Sequence, residues 1–165
     1  MIRVGVVGAT GYAGEELVDI LLRHPDARIT NVSAKIDKPQ PLQEVFPKFR
    51  GRTDLLCGLP DPQKIVAESD CIFLALPHTV SMDLVPLLLK PGKKVIDLSA
   101  DYRIKDAKVY EAFYNVKQID PGRLKEAVYG LPELYREKIE GARLIANPGC
   151  YPTVSILALA PLVAL

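Results

Sequence analysis

Short, mainly apolar runs recur along this chain at Arg3–Val7, Arg28–Ala34, Cys71–Leu76, Lys94–Leu98 and Arg143–Ala146, each bounded by turn residues. Runs of that length with little polar alternation predict strands buried on both faces, as in a parallel sheet. Between them the period changes. Ala13, Leu17, Ile20, Leu21 and His24 fall at i, i+4, i+7, i+8 and i+11, one face of a helix that Pro25 ends. Thr79 to Leu89 predicts a second helix, with Thr79 or Ser81 as its N-cap, a kink at Pro86 and a stop at Pro91-Gly92. Strands alternating with helices predict an α/β fold, a Rossmann-like, doubly wound, mainly parallel sheet. Lys35–Gly58 is interrupted by Pro39, Pro41, Pro47 and Gly51 and predicts loop, with one short helix near Leu42–Phe46. The last helix is expected from near Pro152 to Leu165. Its apolar residues Ile156, Leu157, Leu159, Leu162, Val163 and Leu165 continue without a glycine cap or a terminal cation.

Composition narrows the class of function. The 165 residues are 48% hydrophobic and 25% charged, which is the balance of a globular protein able to bury a core. A formal net charge of +1 with no basic run leaves no electrostatic footprint for nucleic acid. The apolar start, Ile2–Val7, is too short for the core of a signal peptide, so a cytoplasmic location and no membrane association are expected. Three cysteines, Cys57, Cys71 and Cys150, without a C-x-x-C spacing argue against a disulfide framework or a zinc site, and no metal is expected.

Two loops carry the candidate chemistry. Gly8-Ala9-Thr10-Gly11-Tyr12-Ala13-Gly14 follows the first strand and opens the first helix, a G-x-x-G-x-x-G variant of the dinucleotide fingerprint. Glycines there let backbone N–H groups approach a pyrophosphate, and the helix N-terminus adds about half a positive charge. Gly8, Thr10, Gly11, Tyr12, Ala13 and Gly14 are therefore expected to bind a dinucleotide; the plain alternative is a tight structural turn. An NAD site usually has Asp or Glu at the tip of the second strand, holding the ribose 2′-hydroxyl. This chain has Ser33-Ala34-Lys35, a hydroxyl and an ammonium suited to a 2′-phosphate, so NADP is the expected cofactor, with Asp37 the nearest acid. Leu76, Pro77 and His78 end a parallel strand on the edge where ligands of open α/β sheets bind. His78 either lines the nicotinamide pocket or is a structural loop residue. His24 reads as a helix C-terminal residue.

The second loop is Asn147-Pro148-Gly149-Cys150-Tyr151-Pro152-Thr153, between a strand and a helix. At a helix N-terminus the dipole and free N–H groups activate a thiol and can stabilise an oxyanion, so Cys150 is a candidate nucleophile. Alternatively it is a small residue packed against Tyr151. Cys57 and Cys71 are expected to be plain core thiols. Residues 1–147 are thus expected to form the NADP-binding domain and 148–165 the start of a catalytic and dimerisation domain that continues beyond them.

Five ordered segments, GATGYAG (8–14), LALPHTVSM (74–82), VIDLSADYR (95–103), VYGLPE (128–133) and ANPGCYPT (146–153), resemble the N-acetyl-γ-glutamyl-phosphate reductases, relatives of the aspartate-semialdehyde dehydrogenases. Val154 departs from the smaller residue usual there. The resemblance implies NADPH-dependent reductive dephosphorylation of N-acetylglutamyl 5-phosphate to the 5-semialdehyde in arginine biosynthesis. Cys150 would form a thioester with release of phosphate, in a homo-oligomer when full length. It also implies that Arg103 holds the substrate phosphate or carboxylate, that Ser99 lines the same pocket and that Asn147 orients the cysteine loop. The family's acid/base histidine comes from a second domain, and neither His24 nor His78 matches it. Aspartate-semialdehyde dehydrogenase activity is the alternative within the class. A non-catalytic NADP-binding module is the alternative outside it.

Overall fold

The computed structural model describes residues 1–164, so Leu165, the last residue of the expected C-terminal helix, lies outside the described residues. The chain opens with β1 (Ile2–Val7), passes through the glycine loop into α1 (Tyr12–Leu21) and returns as β2 (Ala27–Ser33). A crossover of β3 (Gln40–Pro41), α2 (Leu42–Val45) and a 3-10 turn at Pro47–Phe49 leads into β4 (Leu56–Gly58). Next come α3 (Pro62–Glu68), β5 (Cys71–Leu74), α4 (Ser81–Leu88) and β6 (Lys94–Asp97). The remainder holds α5 (Ala107–Tyr114), α6 (Pro121–Leu124), β7 (Val128–Tyr129), α7 (Pro132–Gly141), β8 (Leu144–Ala146) and α8 (Cys150–Val163).

All strands join one sheet in the order β3-β4-β2-β1-β5-β6-β8-β7. Every neighbouring pair is parallel except β3 with β4, so the architecture is the doubly wound, mainly parallel α/β sheet expected. Alternate residues feed two cores. Val4 and Val6 pack with Val18, Leu21, Leu42 and Phe49 on one face, while Val7, Ile72 and Leu74 pack with Ile65, Val85 and Leu88 on the other. Beyond the strand ends, one N–H···O bond pins the root of each loop to a neighbouring strand. Gly8 N–H donates to Ser33 O, Ala75 to Val7 O, Leu98 to Leu74 O and Asn147 to Asp97 O, at 2.7–2.9 Å.

Several boundaries differ from expectation, each for a local reason. The strand expected to run to Leu76 stops at Leu74, because Ala75 makes its last ladder bond and Pro77 has no N–H to offer. α1 stops at Leu21 rather than His24. The N–H groups of Arg23 and His24 tighten onto Ile20 O and Leu21 O, and His24 Nδ1 accepts from Asp26 N–H. Neither Thr79 nor Ser81 caps α4: Val80 holds the N-cap position and no side chain on the helix caps it. α8 starts at Cys150, two residues before the expected Pro152, which takes the third helical position where a missing N–H is harmless. α3 and α5 escaped the hydrophobic reading but carry local signals. Asp61 accepts from Gln63 and Lys64 N–H, and Asp106 from Lys108 and Val109 N–H, as N-caps do.

The glycine loop is held by backbone packing. Gly8 has φ +89°, and a Cβ there would sit 2.2 Å from Ala75 O; a Cβ on Gly14 would sit 2.2 Å from Gly8 O. Gly11 is different, since its added Cβ would meet only Gly8 O at 3.7 Å. Urea denaturation is therefore expected to show Gly14→Ala destabilised by about 2–3 kcal/mol, the scale of overpacking. Gly11→Ala should lose less than about 1 kcal/mol. Equal losses at the two positions would contradict this account of the loop.

Candidate active site

The loops that follow β1, β2, β5, β6 and β8 all leave the carboxyl edge of the sheet, and the sequence-predicted residues lie on them. At the first loop, Gly11 is the N-cap of α1 with extended backbone and no side chain over the helix end. The first-turn N–H groups of Tyr12, Ala13 and Gly14 have no intrahelical acceptor. Gly11, Tyr12 and Ala13 are exposed, Thr10 is half-buried and Gly14 is buried. This is an open backbone cradle suited to an anion at a helix N-terminus. Glu15, in the first turn, would oppose an anion, but Lys48 Nζ pairs with it at 2.9 Å and with Glu16 at 3.1 Å. Lys48 went unnoticed in the sequence because it reaches the loop only through the crossover.

Ser33 also anchors the glycine loop through its backbone. Its carbonyl accepts from both Gly8 and Ala9 N–H, at 2.7 and 3.2 Å, while its side chain is buried with 2% exposure and its hydroxyl has no hydrogen-bond partner. An orphaned buried hydroxyl beside an open cradle fits a cofactor that brings its own polar group. Lys35, two residues on, is exposed.

His78 and Pro77 are exposed and Leu76 is half-buried, in the turn between β5 and α4. His78 Nδ1 accepts from Ala100 N–H at 3.1 Å, which leaves Nε2 as the protonated nitrogen of the neutral ring. Ser99 is fully buried. Its hydroxyl donates to Asp97 at 2.7 Å and accepts from Asp101 N–H at 3.1 Å, so it braces the loop rather than lining an open pocket. Burial pushes the Asp97 carboxyl above the ordinary carboxylate range.

Arg103 joins this loop to the cysteine loop. Nε donates to Asn147 O at 2.7 Å and Nη2 to Leu98 O at 2.6 Å. Nη1 makes no hydrogen bond among the described residues and lies 3.1 Å from where a Cβ on Gly149 would be. Two thirds of the guanidinium thus hold backbone, and one nitrogen is left for an anion. Asn147 is tied on both sides, its N–H to Asp97 O and its side-chain amide to Pro148 O. Cys150 follows as the exposed first residue of α8. Thr153 closes the helix turn by donating both N–H and hydroxyl to Gly149 O. Because Pro152 has no N–H, the donors beside the thiol are the amides of Cys150 and Tyr151.

The three thiols are not equivalent. Cys57 is buried and Cys71 half-buried, and burial raises both, Cys71 to about 11. Among the described residues no group of three or more His, Cys, Asp or Glu is arranged to hold a metal, and no helix is long and apolar enough to cross a membrane.

Residues 3–142 match the family described as semialdehyde dehydrogenase, NAD binding domain. The chain is 55% identical to the N-acetyl-gamma-glutamyl-phosphate reductase of Syntrophobacter fumaroxidans over 99% of its own length and 47% of the relative's. It is 49% identical to that of Heliobacterium modesticaldum over 98% of itself and 46% of the relative. The chain spans about half the length of the curated relatives it matches. Among solved structures, the aspartate semialdehyde dehydrogenase of Candida albicans, determined with NADP, superposes with a TM-score of 0.73 at 18% identity. That match covers 99% of this chain and 47% of the other. The Vibrio cholerae aspartate semialdehyde dehydrogenase II gives 0.66 at 17%, covering 99% of this chain and 43% of the other. At these identities the likeness is one of fold.

The thiol environments make a labelling prediction. Near neutral pH a thiol at about 11 holds roughly a hundredfold less thiolate than an ordinary one. Limited iodoacetamide treatment of the native protein, read by peptide mass spectrometry, should modify Cys150 at least about ten times faster than Cys57 or Cys71. Comparable rates at all three would contradict the burial of the other two.

Proposed function

The chain belongs to the semialdehyde dehydrogenase family by its NAD binding domain, and on that basis we propose that it supplies the cofactor site and the nucleophile of an acyl-phosphate reductase. The full-length protein would convert N-acetylglutamyl 5-phosphate and NADPH to N-acetylglutamate 5-semialdehyde, phosphate and NADP. Residues 1–147 would form the cofactor domain and α8 would begin the catalytic one. That division is supported by α8, a helix of Cys150–Val163 with no buried residue. The observation that carries the reading is the exposed thiol of Cys150, first in a helix, on a loop that Arg103 ties to the same sheet edge as the glycine cradle.

In this reading the Cys150 thiolate attacks the acyl carbon, the bond from that carbon to the phosphate oxygen breaks, and inorganic phosphate leaves a thioester. The amides of Cys150 and Tyr151 face the oxygen that gains charge, as oxyanion donors do. The free Nη1 of Arg103 takes an oxygen of the phosphate or the substrate carboxylate, while Nε and Nη2 keep the cysteine loop in place. Bound NADPH supplies the hydride that takes the thioester to the level of an aldehyde. The thiohemiacetal on Cys150 then collapses, expelling the thiolate and releasing the semialdehyde. Gly8 to Gly14 would cradle the pyrophosphate, Ser33 and Lys35 would meet the 2′-phosphate, and Leu76, Pro77 and His78 would border the nicotinamide.

In the full-length protein, Cys150→Ser is expected to leave NADPH affinity nearly unchanged and to lower kcat at least ~10³-fold, roughly 4 kcal/mol of barrier. Retention of more than about a tenth of turnover would exclude covalent catalysis by this residue. Assays with N-acetylglutamyl phosphate and with aspartyl phosphate separate the proposed substrate from its nearest alternative.

Cofactor choice is tested separately. Lys35→Glu should weaken NADPH binding by roughly 1–3 kcal/mol, the value of a charged hydrogen bond, with NADH little affected. Calorimetry showing equal losses for both cofactors would remove Lys35 from the 2′-phosphate site.

A further inference from the structure

The turn after β5 contains a strained residue. Thr79 has φ +75°, in the left-handed region, which a β-branched residue adopts only when its surroundings impose it. The agent is Asp101, a fully buried carboxylate on the loop after β6. Its Oδ1 accepts from Thr79 N–H at 2.7 Å and its Oδ2 from Met82 N–H at 3.1 Å. Asp101 therefore caps α4, whose own residues provide no cap, from a different loop. The carboxylate and the backbone of Asp101 are themselves held. Tyr110 Oη donates to Oδ1 at 2.9 Å, Asp101 N–H donates to Ser99 Oγ at 3.1 Å, and Gln118 Nε2 donates to Asp101 O at 2.6 Å.

His78 is caught between these supports. On one side its Nδ1 accepts from Ala100 N–H; on the other it meets the Tyr114 ring edge-on with centroids 5.6 Å apart, and Tyr114 stacks on Tyr110 at 4.8 Å. The residues that fix His78 and Thr79 thus belong to, or lean on, the stretch that continues to Arg103 and the cysteine loop. A cap serving stability alone would not require a β-branched residue in a left-handed turn beside an exposed histidine. An amide at position 101 would also fail geometrically, since one oxygen would have to replace two that together accept three donors.

We propose that Asp101 is a positioning residue for the nicotinamide half of the cofactor: its carboxylate holds the Pro77–Thr79 turn in its strained form and so sets His78 against the ring. This rests on the dinucleotide reading given above, and the two are separable. Adenosine 2′,5′-bisphosphate carries the half of NADP that would meet the glycine loop and Lys35 but lacks the nicotinamide half. In the full-length protein, Asp101→Asn is expected to raise the Kd of NADP at least tenfold while changing that of the bisphosphate less than twofold, both by calorimetry. Tyr110→Phe, which removes one donor to the same carboxylate and keeps the aromatic stack, should give a smaller loss in the same direction. It serves as the test if circular dichroism shows Asp101→Asn unfolded. Equal loss of both ligands in the variant that folds, or no loss of either, would overturn the positioning role. A wild-type protein that binds neither nucleotide would instead overturn the dinucleotide reading itself.

Discussion

A parallel sheet gathers the carboxyl ends of its strands along one edge, and the loops leaving that edge must satisfy their backbone groups in a small space. This protein does so with one bond at each root, from the first residue of a loop to a carbonyl at the end of the neighbouring strand. Through that row, Gly8 is fixed to Ser33, Ala75 to Val7, Leu98 to Leu74 and Asn147 to Asp97. The glycine cradle, the histidine turn, the arginine loop and the cysteine loop therefore share one frame. A second set of links, from His78 to Ala100, Asp101 to Thr79 and Arg103 to Asn147, ties the loops to one another above their roots.

The central strands were legible because five or six residues of sustained apolar character, buried on both faces, leave few alternatives. β3, β4 and β7, two or three residues each, carry no period and could not be read from pattern. α7 was missed for another reason: it buries none of its residues, so no apolar stripe marks it. α3 and α5 could have been read from Asp61 and Asp106 as caps ahead of short helices.

The candidate site divides in the same way. Gly8–Gly14 and Asn147–Thr153 announce themselves because glycine, proline and cysteine at a strand-to-helix turn have few other uses. Asp101, Tyr110 and Gln118 act through contacts between residues far apart in the chain, and as single letters they read as an acid, an aromatic and an amide in polar loops. Arg103 sits between the two cases. The family resemblance implies that it holds an anion, but only the fold shows that Nε and Nη2 are committed to carbonyls while Nη1 is not. Ser33 adds a part that no side-chain reading could show, since its carbonyl anchors the glycine loop.

The close packing of Gly8 against Ala75 and of Gly14 against Gly8 has a consequence for redesign. A Cβ on either would strike main-chain oxygen at 2.2 Å, and main chain cannot rotate away as a side chain can. The glycine turn therefore leaves room for change at Gly11, the half-buried Thr10 and the exposed side chains of Tyr12 and Ala13. Lys35, exposed at the tip beyond β2, touches none of that packing. Substitutions at that tip therefore meet none of the main-chain contacts that constrain the glycine turn. Diversity introduced at Gly8 or Gly14 would instead yield proteins that have lost stability to a main-chain clash.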